Sequence, residues 1–540
     1  LAEAKDIIQR FEQLRGRRGT WEAEWQLLAE FVLPTRGDFN RRTLTRGERR
    51  GEKAFDSTAR LANAELAAGL HTMLTSPAMR WFSLRAKDES LNERDDVKRW
   101  LEDATDRLYT IFSGADAGFN PAAHELYLDL GAFGTGIMFV GERSGRGITF
   151  QARHLGECHI AENDIGVVDT LYREFRLTHR QAVQRWGMNT PEQIRAKVEQ
   201  SPLEESCFIH AVYPREDYKG GDRRLSRNAP WVSCYVSRDY NQKISEGGFH
   251  EFPYLVPRWS KLTGETYGRS PGMTALPSIL QANGMAKTVL VGAQLAVAPP
   301  LQAPDDGFML PIRTAPNSVN FYRAGSPQYD RISPILTGVR PDIGVDMLGM
   351  VRSDIERAFF VQWLRILQDP NASRMTATQV LQLRDQFFQI MGPALARLQA
   401  EFLGPLISRT FGIMLRNRML PPPPPEIFDA ELDVDYVSPI AQAQRATKVE
   451  SMARVIEMTR VLAETDPVLA SIIDGDAAVR EVADVYNAPL DMLRSPDDMA
   501  ALRQQQAEAN AAMMQQEQAM VGAAVVKDLA TAEKASNAVR

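Results

Sequence analysis

Cysteine is scarce in this 540-residue chain: Cys158, Cys207 and Cys234 are the whole supply. An odd number, with none at metal-ligand spacing, argues against a disulfide framework and points to a reduced, intracellular chain. A membrane-length apolar run is missing too. The longest, Thr288 to Leu301, has 14 residues, short of the ~20 that a spanning helix needs. The charged, amphipathic start LAEAKDIIQRFEQLRGRR has no apolar signal core. A soluble chain with no membrane contact is therefore expected. Excess positive charge is also absent, since 63 Lys and Arg stand against 69 Asp and Glu for a net charge of −6. Proteins that grip nucleic acid by its phosphates carry a basic patch or a basic pI. If this chain meets DNA, it is built to let DNA slide, because a repelling wall keeps a polyanion mobile.

Catalytic motifs are equally thin. Gly268-Arg269-Ser270-Pro271-Gly272 matches the G-x-S-x-G elbow of serine hydrolases. However, Pro271 has no N–H to give an oxyanion hole, and no histidine follows His250. The expected reading is a tight turn that ends a strand and launches a helix. Gly131, Gly134 and Gly136 do not have dinucleotide-loop spacing, and no G-K-S/T follows them; close backbone packing is expected there. His154, Cys158 and His159 lie close together but lack a fourth zinc ligand. No catalytic residue, metal site or cofactor is assigned.

What is present is an ordinary globular composition, 44% hydrophobic and 24% charged, with helical and strand periods in separate blocks. Ile7, Ile8, Phe11, Leu14, Trp21, Trp25, Leu28 and Val32 recur every three or four residues and predict a helix over 1–33. The Arg-rich stretch 34–56 reads as an exposed loop. Helices are predicted at 56–75, capped by Asp56 or Ser57, at 92–113 and at 120–133. From about 134 to 260 the period changes to that of strands, as in GIMFVGE, GITFQAR, ESCFIHAVYP, WVSCYVS and FPYLVPRWS, with a short helix near 179–200. Two long helices, 274–298 capped by Thr274 and 342–365 with a stripe of Met347, Val351, Ile355 and Phe359, flank a turn-rich insert at 299–341. A helical stretch over 376–418 is expected to bend at Gly392-Pro393 and Gly404-Pro405. Five prolines, 421–425, form a stiff spacer before an acidic strand with Glu426, Asp429, Glu431, Asp433 and Asp435. The last 40-odd residues are rich in Ala and Gln and, alone, make a marginal helix.

Several of these stretches together resemble the head-to-tail connector (portal) proteins of podoviruses. They are the W-x3-W of Trp21 and Trp25, LPTRGDF at 33–39, FDSTA at 55–59, LTSPAMRWFSL at 74–84, PRWSKLTGETYGRSPGMTALPSILQANGM at 257–285, MTATQV at 375–380, GPALARLQAEFLGPLISRTFGIM at 392–414 and VDYVSPIAQAQ at 434–444. The resemblance implies an elongated α+β subunit: a wing over 1–271, a first stem helix over 272–298, a clip over 299–341, a second stem helix over 342–365, a channel loop over 366–376, a return to the wing over 377–436, a helical crown over 437–495 and a tail or barrel helix over 496–540. It also implies a ring of twelve copies at the portal vertex of a virion, formed in the host cytoplasm, with double-stranded DNA passing through the lumen. Terminase, major capsid and scaffold proteins and tail adaptors are the implied partners. Arg365, Gln368, Asn371 and Arg374 are the candidates for contact with DNA in the channel. Two rival classes are a scaffold or tail-tube protein of the virion and a hydrolase acting through Ser270. A scaffold should be mostly helical and low in aromatics, whereas this chain has a β-rich third and eight Trp.

Overall fold

The computed structural model describes residues 3–37, 39, 51–92, 94–143, 147–216, 228–298, 301–302, 333–334, 341–368, 377–427 and 432–436, with short helical pieces beyond, of which 501–511 is the longest. In chain order the elements are α1 (Ala4–Arg17), α2 (Gly19–Phe31), α3 (Thr58–Leu74), β1 (Ser83–Ala86), α4 (Glu89–Asn92), α5 (Asp95–Ser113), α6 (Phe119–Phe133), β2 (Met138–Arg143), β3 (Gly147–Ala152), β4 (Cys158–Glu162), β5 (Val168–Thr178), α7 (His179–Trp186), α8 (Glu192–Lys197), β6 (Glu205–Pro214), β7 (Trp231–Ser237), β8 (Gln242–Phe249) and β9 (Tyr254–Leu255). There follow α9 (Pro271–Val297), β10 (Leu301–Gln302), β11 (Ser333–Pro334), α10 (Pro341–Ala358), α11 (Val361–Gln368), α12 (Ala377–Leu398), a π-turn (Gln399–Leu403), α13 (Gly404–Arg416) and β12 (Leu432–Asp435). The fold class is mixed helix and sheet, as expected. Most of the insert 299–341, the loop 369–376 and most of 437–540 lie outside the described residues.

The chain divides into two compact units, one of Leu1–Arg80 with Asp106–Leu420 and the other of Trp81–Thr105 with Pro421–Arg540. At the centre of the first unit is an antiparallel meander ordered β4-β5-β6-β7-β8. Side chains alternate across it with the period of two that a strand imposes. Tyr172, Ile209, Ala211, Val232, Cys234 and Val236 bury Ile7 and Phe11 of α1 on one face. Phe175, Phe208 and Ile244 take Ala182 of α7 and Ile194 of α8 on the other. β3, β2 and β9 form a second antiparallel sheet. In the second unit β1 pairs with β12, Leu84 opposite Val434. There the acidic run meets bases from earlier in the chain, Arg85 on Asp435 at 3.5 Å and Arg94 on Glu426 at 3.1 Å.

Several predicted elements change shape, each for a local reason. The single helix over 1–33 is two, broken at Arg18. This arginine is buried and donates to the carbonyls of Leu155, Gly156 and Cys158 at 3.0, 2.9 and 2.6 Å and to Glu22 at 2.7 Å. Satisfying three carbonyls outweighs continuing a helix, because each would otherwise be buried without a donor. The loop from residue 34 is not merely solvated. Its Arg36 forks onto buried Asp129 at 2.9 and 2.8 Å. Ser57 stands at the N-cap of α3 without a side-chain bond of its own, and the Asp56 carboxylate just before it accepts from the Thr58 N–H at 2.9 Å. The predicted stripe of α10 is shifted: Leu348, Ile355 and Phe359 are buried, while Met347 is exposed. The helix after 376 runs through Pro393 unbroken and is interrupted only before Gly404-Pro405. There a π-turn leaves Pro405 in the first turn of α13, where a missing N–H costs little.

Candidate functional site: the joint at the base of the long helix

α6 ends at Gly134, which takes a left-handed φ of 77°. The backbone from 257 to 272 crosses it there so closely that both chains need glycine. A Cβ on Gly134 would collide with the Gly268 carbonyl, and a Cβ on Gly268 with the Gly134 carbonyl. Backbone bonds close the crossing: Gly136 N–H to Pro257 O at 3.1 Å, Trp259 N–H to Gly134 O at 2.9 Å and Arg269 N–H to Ser260 O at 2.7 Å. The Gly268 N–H donates to the Thr135 hydroxyl at 2.8 Å. Gly131 and Gly272 serve the same packing, since a Cβ on Gly272 would lie 3.0 Å from Ala132 O and one on Gly131 would strike Asn63. The glycine run is thus a backbone crossing, in line with the packing expected for it.

Ser270 then starts α9. Its hydroxyl accepts from the Met273 N–H and donates to Ala132 O, both at 2.8 Å, and the residue is buried. Pro271 follows at the first helical position, where its fixed φ suits the helix and no N–H is required. The cap expected at Thr274 therefore falls four residues earlier. The G-x-S-x-G motif is a helix cap whose hydroxyl is committed at both ends.

Beside the crossing, Arg258 is the largest buried cation of the joint, 1% exposed. It bonds Glu401 at 3.1 and 2.7 Å, Glu162, Thr266 O at 3.2 Å and Gly166 O at 3.0 Å. Lys261 joins Glu162 at 2.6 Å, and Arg397 joins Glu401 at 3.1 Å. Burial works against the guanidinium charge, but Glu401 and Glu162 outweigh it and raise its pKa. Glu401 lies in the π-turn, so this clasp fixes the turn against the base of α9. Arg409 of α13 is pinned likewise, on Val140 O at 3.0 Å and Glu251 O at 2.8 Å. Burial pulls it down to about 10, still well above neutrality.

From this base α9 packs against α10. α9 carries one charge in 27 residues, Lys287, and leaves Leu280, Leu290, Val291 and Val297 exposed; α10 exposes Val345, Met347 and Met350. α10 and α11 meet at Phe360, a non-glycine residue at φ 59°. α11 lies on α3 with Leu364 seated over Gly69. Of the channel candidates, Arg365 forks onto Glu65 at 2.9 and 2.8 Å and reaches Glu356 at 3.3 Å, bonds that raise its pKa. Gln368 ends α11, and Asn371 and Arg374 lie outside the described residues. Among the described residues no cluster of three or more His, Cys, Asp and Glu could hold a metal ion. No described helix is long and apolar enough to cross a membrane.

Sequence reasoning passed over Arg258, Glu162, Glu401 and Arg409. A signal was there for the first: a lone arginine inside FPYLVPRWS is a charge in a run that otherwise reads as core.

The family profile described as "Bacteriophage head to tail connecting protein" matches residues 4–493. The chain is 31% identical over 525 residues to the "Probable portal protein" of Bordetella phage BPP-1, covering 95% of this chain and 93% of that one. It is 30% identical over 544 residues to the "Portal protein" of Salmonella phage epsilon15, covering 98% and 96%. The chain belongs to the bacteriophage head-to-tail connecting proteins, the portal proteins.

Proposed function

We propose that copies of this chain close into a ring, twelve in number, at one vertex of the phage head, and that double-stranded DNA enters and leaves through its lumen. The observation that carries this is the apolar, unpartnered surface of the α9–α10 pair. Seven large apolar side chains on two adjacent helices face solvent, and such a surface marks an interaction site. A heterologous contact repeated by rotation covers it in every copy and closes without open ends. The pair forms the stem, 299–341 the clip that docks terminase and later the tail adaptors, 366–376 the channel loop, 437–495 the crown, and 496–540 a tail or barrel helix, with the wing on either side of them. Head nucleation brings in the scaffold and major capsid proteins in the host cytoplasm. The role is structural, with ATP hydrolysis left to the motor.

A net charge of −6 supports a conduit that does not hold its cargo. Of the four channel candidates, Arg365 would reach a phosphate only by leaving Glu65; Gln368, Asn371 and Arg374 complete the proposed contact. Native mass spectrometry with negative-stain top views tests the ring. A particle near twelve times 60.4 kDa with a central hole supports it. A chain that stays monomeric even with scaffold protein present refutes it. Deleting 367–373 should leave the ring intact and impair packaging or retention of DNA, and normally filled heads would refute the channel role.

A further inference from the structure

The flank of α1 carries a second, smaller feature, far in sequence from the joint. Arg10, Gln13, Leu14 and Arg17 overhang a cleft of about 400 Å³ whose floor includes Tyr172 and Tyr213 and whose rim includes Glu216. The two arginines are seven residues apart, about 10 Å along one side of the helix. On its other flank α1 is occupied: Glu12 takes Arg238 and lies 3.9 Å from Arg15. Arg10 is pre-set, lying over the Tyr213 ring at 5.9 Å. Tyr172 and Tyr213 are themselves stacked, 9° from parallel. Arg17 makes no ion pair among the described residues and is exposed. At Ala161/Glu162 the register of β4 on β5 shifts, beside the cleft.

We propose that this cleft binds an acidic peptide segment of a partner protein, carboxylates on the guanidinium groups of Arg10 and Arg17 and an apolar side chain on the Leu14–Tyr213 side. Guanidinium forks match carboxylates two bonds at a time, and stacked tyrosines offer an apolar floor already ordered, so little entropy is lost on binding. Glu216 at the rim selects between anions. It accepts a peptide N–H, whereas a phosphodiester chain has no donor to give it. Phosphate-driven binding draws on roughly six to ten contacts, and this cleft offers two cations in a chain of net charge −6.

The test is fluorescence polarisation on the full-length protein. The probe is a fluorescein-labelled heptapeptide of Asp and Glu around one Phe, amidated at its end. An Asn/Gln counterpart and a twelve-residue oligo(dT) are run beside it. Saturable binding of the acidic peptide, weakened tenfold or more in the Arg10→Gln/Arg17→Gln variant and unchanged in Arg15→Gln, is the expected result. Arg10 and Arg17 are exposed and Arg15 is half-buried, and an unshifted melting temperature verifies that each variant folds. No saturable binding, equal binding by the double variant, or equal binding of the Asn/Gln peptide or oligo(dT) would overturn the proposal.

Discussion

Replacing Gly134 by Ala separates two costs that the joint combines. At φ 77° an L-residue is strained by about 1–2 kcal/mol. The new Cβ also falls within the van der Waals shells of Gly268 O and the Arg269 carbonyl carbon, both backbone atoms. Overpacking against atoms that cannot rotate away adds about 1–3 kcal/mol, for a total of about 2–5 kcal/mol. The molecule supplies both controls. Gly147 has the same φ of 77° and nothing within 4 Å of an added Cβ, so Gly147→Ala shows the torsional cost alone. Gly268 is not left-handed but would collide with Gly134, so Gly268→Ala shows the collision alone. Urea unfolding followed by tryptophan fluorescence is the assay, since Trp259 hydrogen-bonds the crossing itself. The ordering expected is Gly147→Ala mildest, Gly268→Ala larger and Gly134→Ala largest. A Gly134→Ala midpoint no lower than that of Gly147→Ala would refute the close crossing.

Three further outcomes follow from the same geometry. His154 accepts from the Gly156 N–H at Nδ1 and donates from Nε2 to Arg36 O, so a second proton has nowhere to go, and burial pushes its pKa down to about 4. A depressed histidine contributes nothing unfavourable above its ordinary 6.5 and costs about 3 kcal/mol as pH falls from 6.5 to 4. Asp129, which burial pushes up to about 6, acts in the opposite sense over that range. The readout is therefore the difference between the pH–stability profiles of wild type and His154→Gln, and a flat difference would refute the assignment. Arg258→Met, which leaves Glu162 only Lys261 and Glu401 only Arg397, should cost about 3–5 kcal/mol, and adding Glu162→Gln and Glu401→Gln should recover part of it; no recovery in calorimetry would refute the clasp. Ser270→Ala should cost about 1–2 kcal/mol through the lost cap and leave hydrolysis of p-nitrophenyl acetate unchanged, and a loss of esterase activity would revive the hydrolase reading.

The sequence exposes what repeats and hides what crosses. Helices α3, α5 and α6 were legible because their apolar residues recur along one side over four or more turns, and α9 because a long, nearly uncharged run ends at Pro299-Pro300. The strand β5 was not: Arg173, Glu174 and Arg176 interrupt its alternation, and only the fold shows Arg173 on Glu157 at 2.9 Å and Glu174 beside Arg238. β8 was missed because Gly247 and Gly248 leave a strand with few apolar positions. The turn into α9 was legible from its glycines and prolines, yet the cap was misplaced because Thr274 and Ser270 are equally good candidates until Ala132 O is brought beside one of them. Arg258 and Glu401 are 143 residues apart, and Gly268 and Thr135 are 133 apart. No periodicity links such pairs.

Arg18 also determines what the central sheet can join. Two backbone groups of the edge strand β4 are taken by side chains, the Cys158 carbonyl by Arg18 and the Ile160 N–H by the Tyr267 hydroxyl at 3.3 Å. At the opposite edge β8 is paired with β7 alone. In the language of polymer chemistry the sheet is a monofunctional monomer: one end reacts and the other is capped. Two such edges can at most cap each other, and no run of copies can grow strand upon strand into a fibre. Beyond such a pair, self-association is left to surfaces other than the sheet. Opening the capped edge, by removing both the Arg18 guanidinium and the Tyr267 hydroxyl, would make the monomer bifunctional.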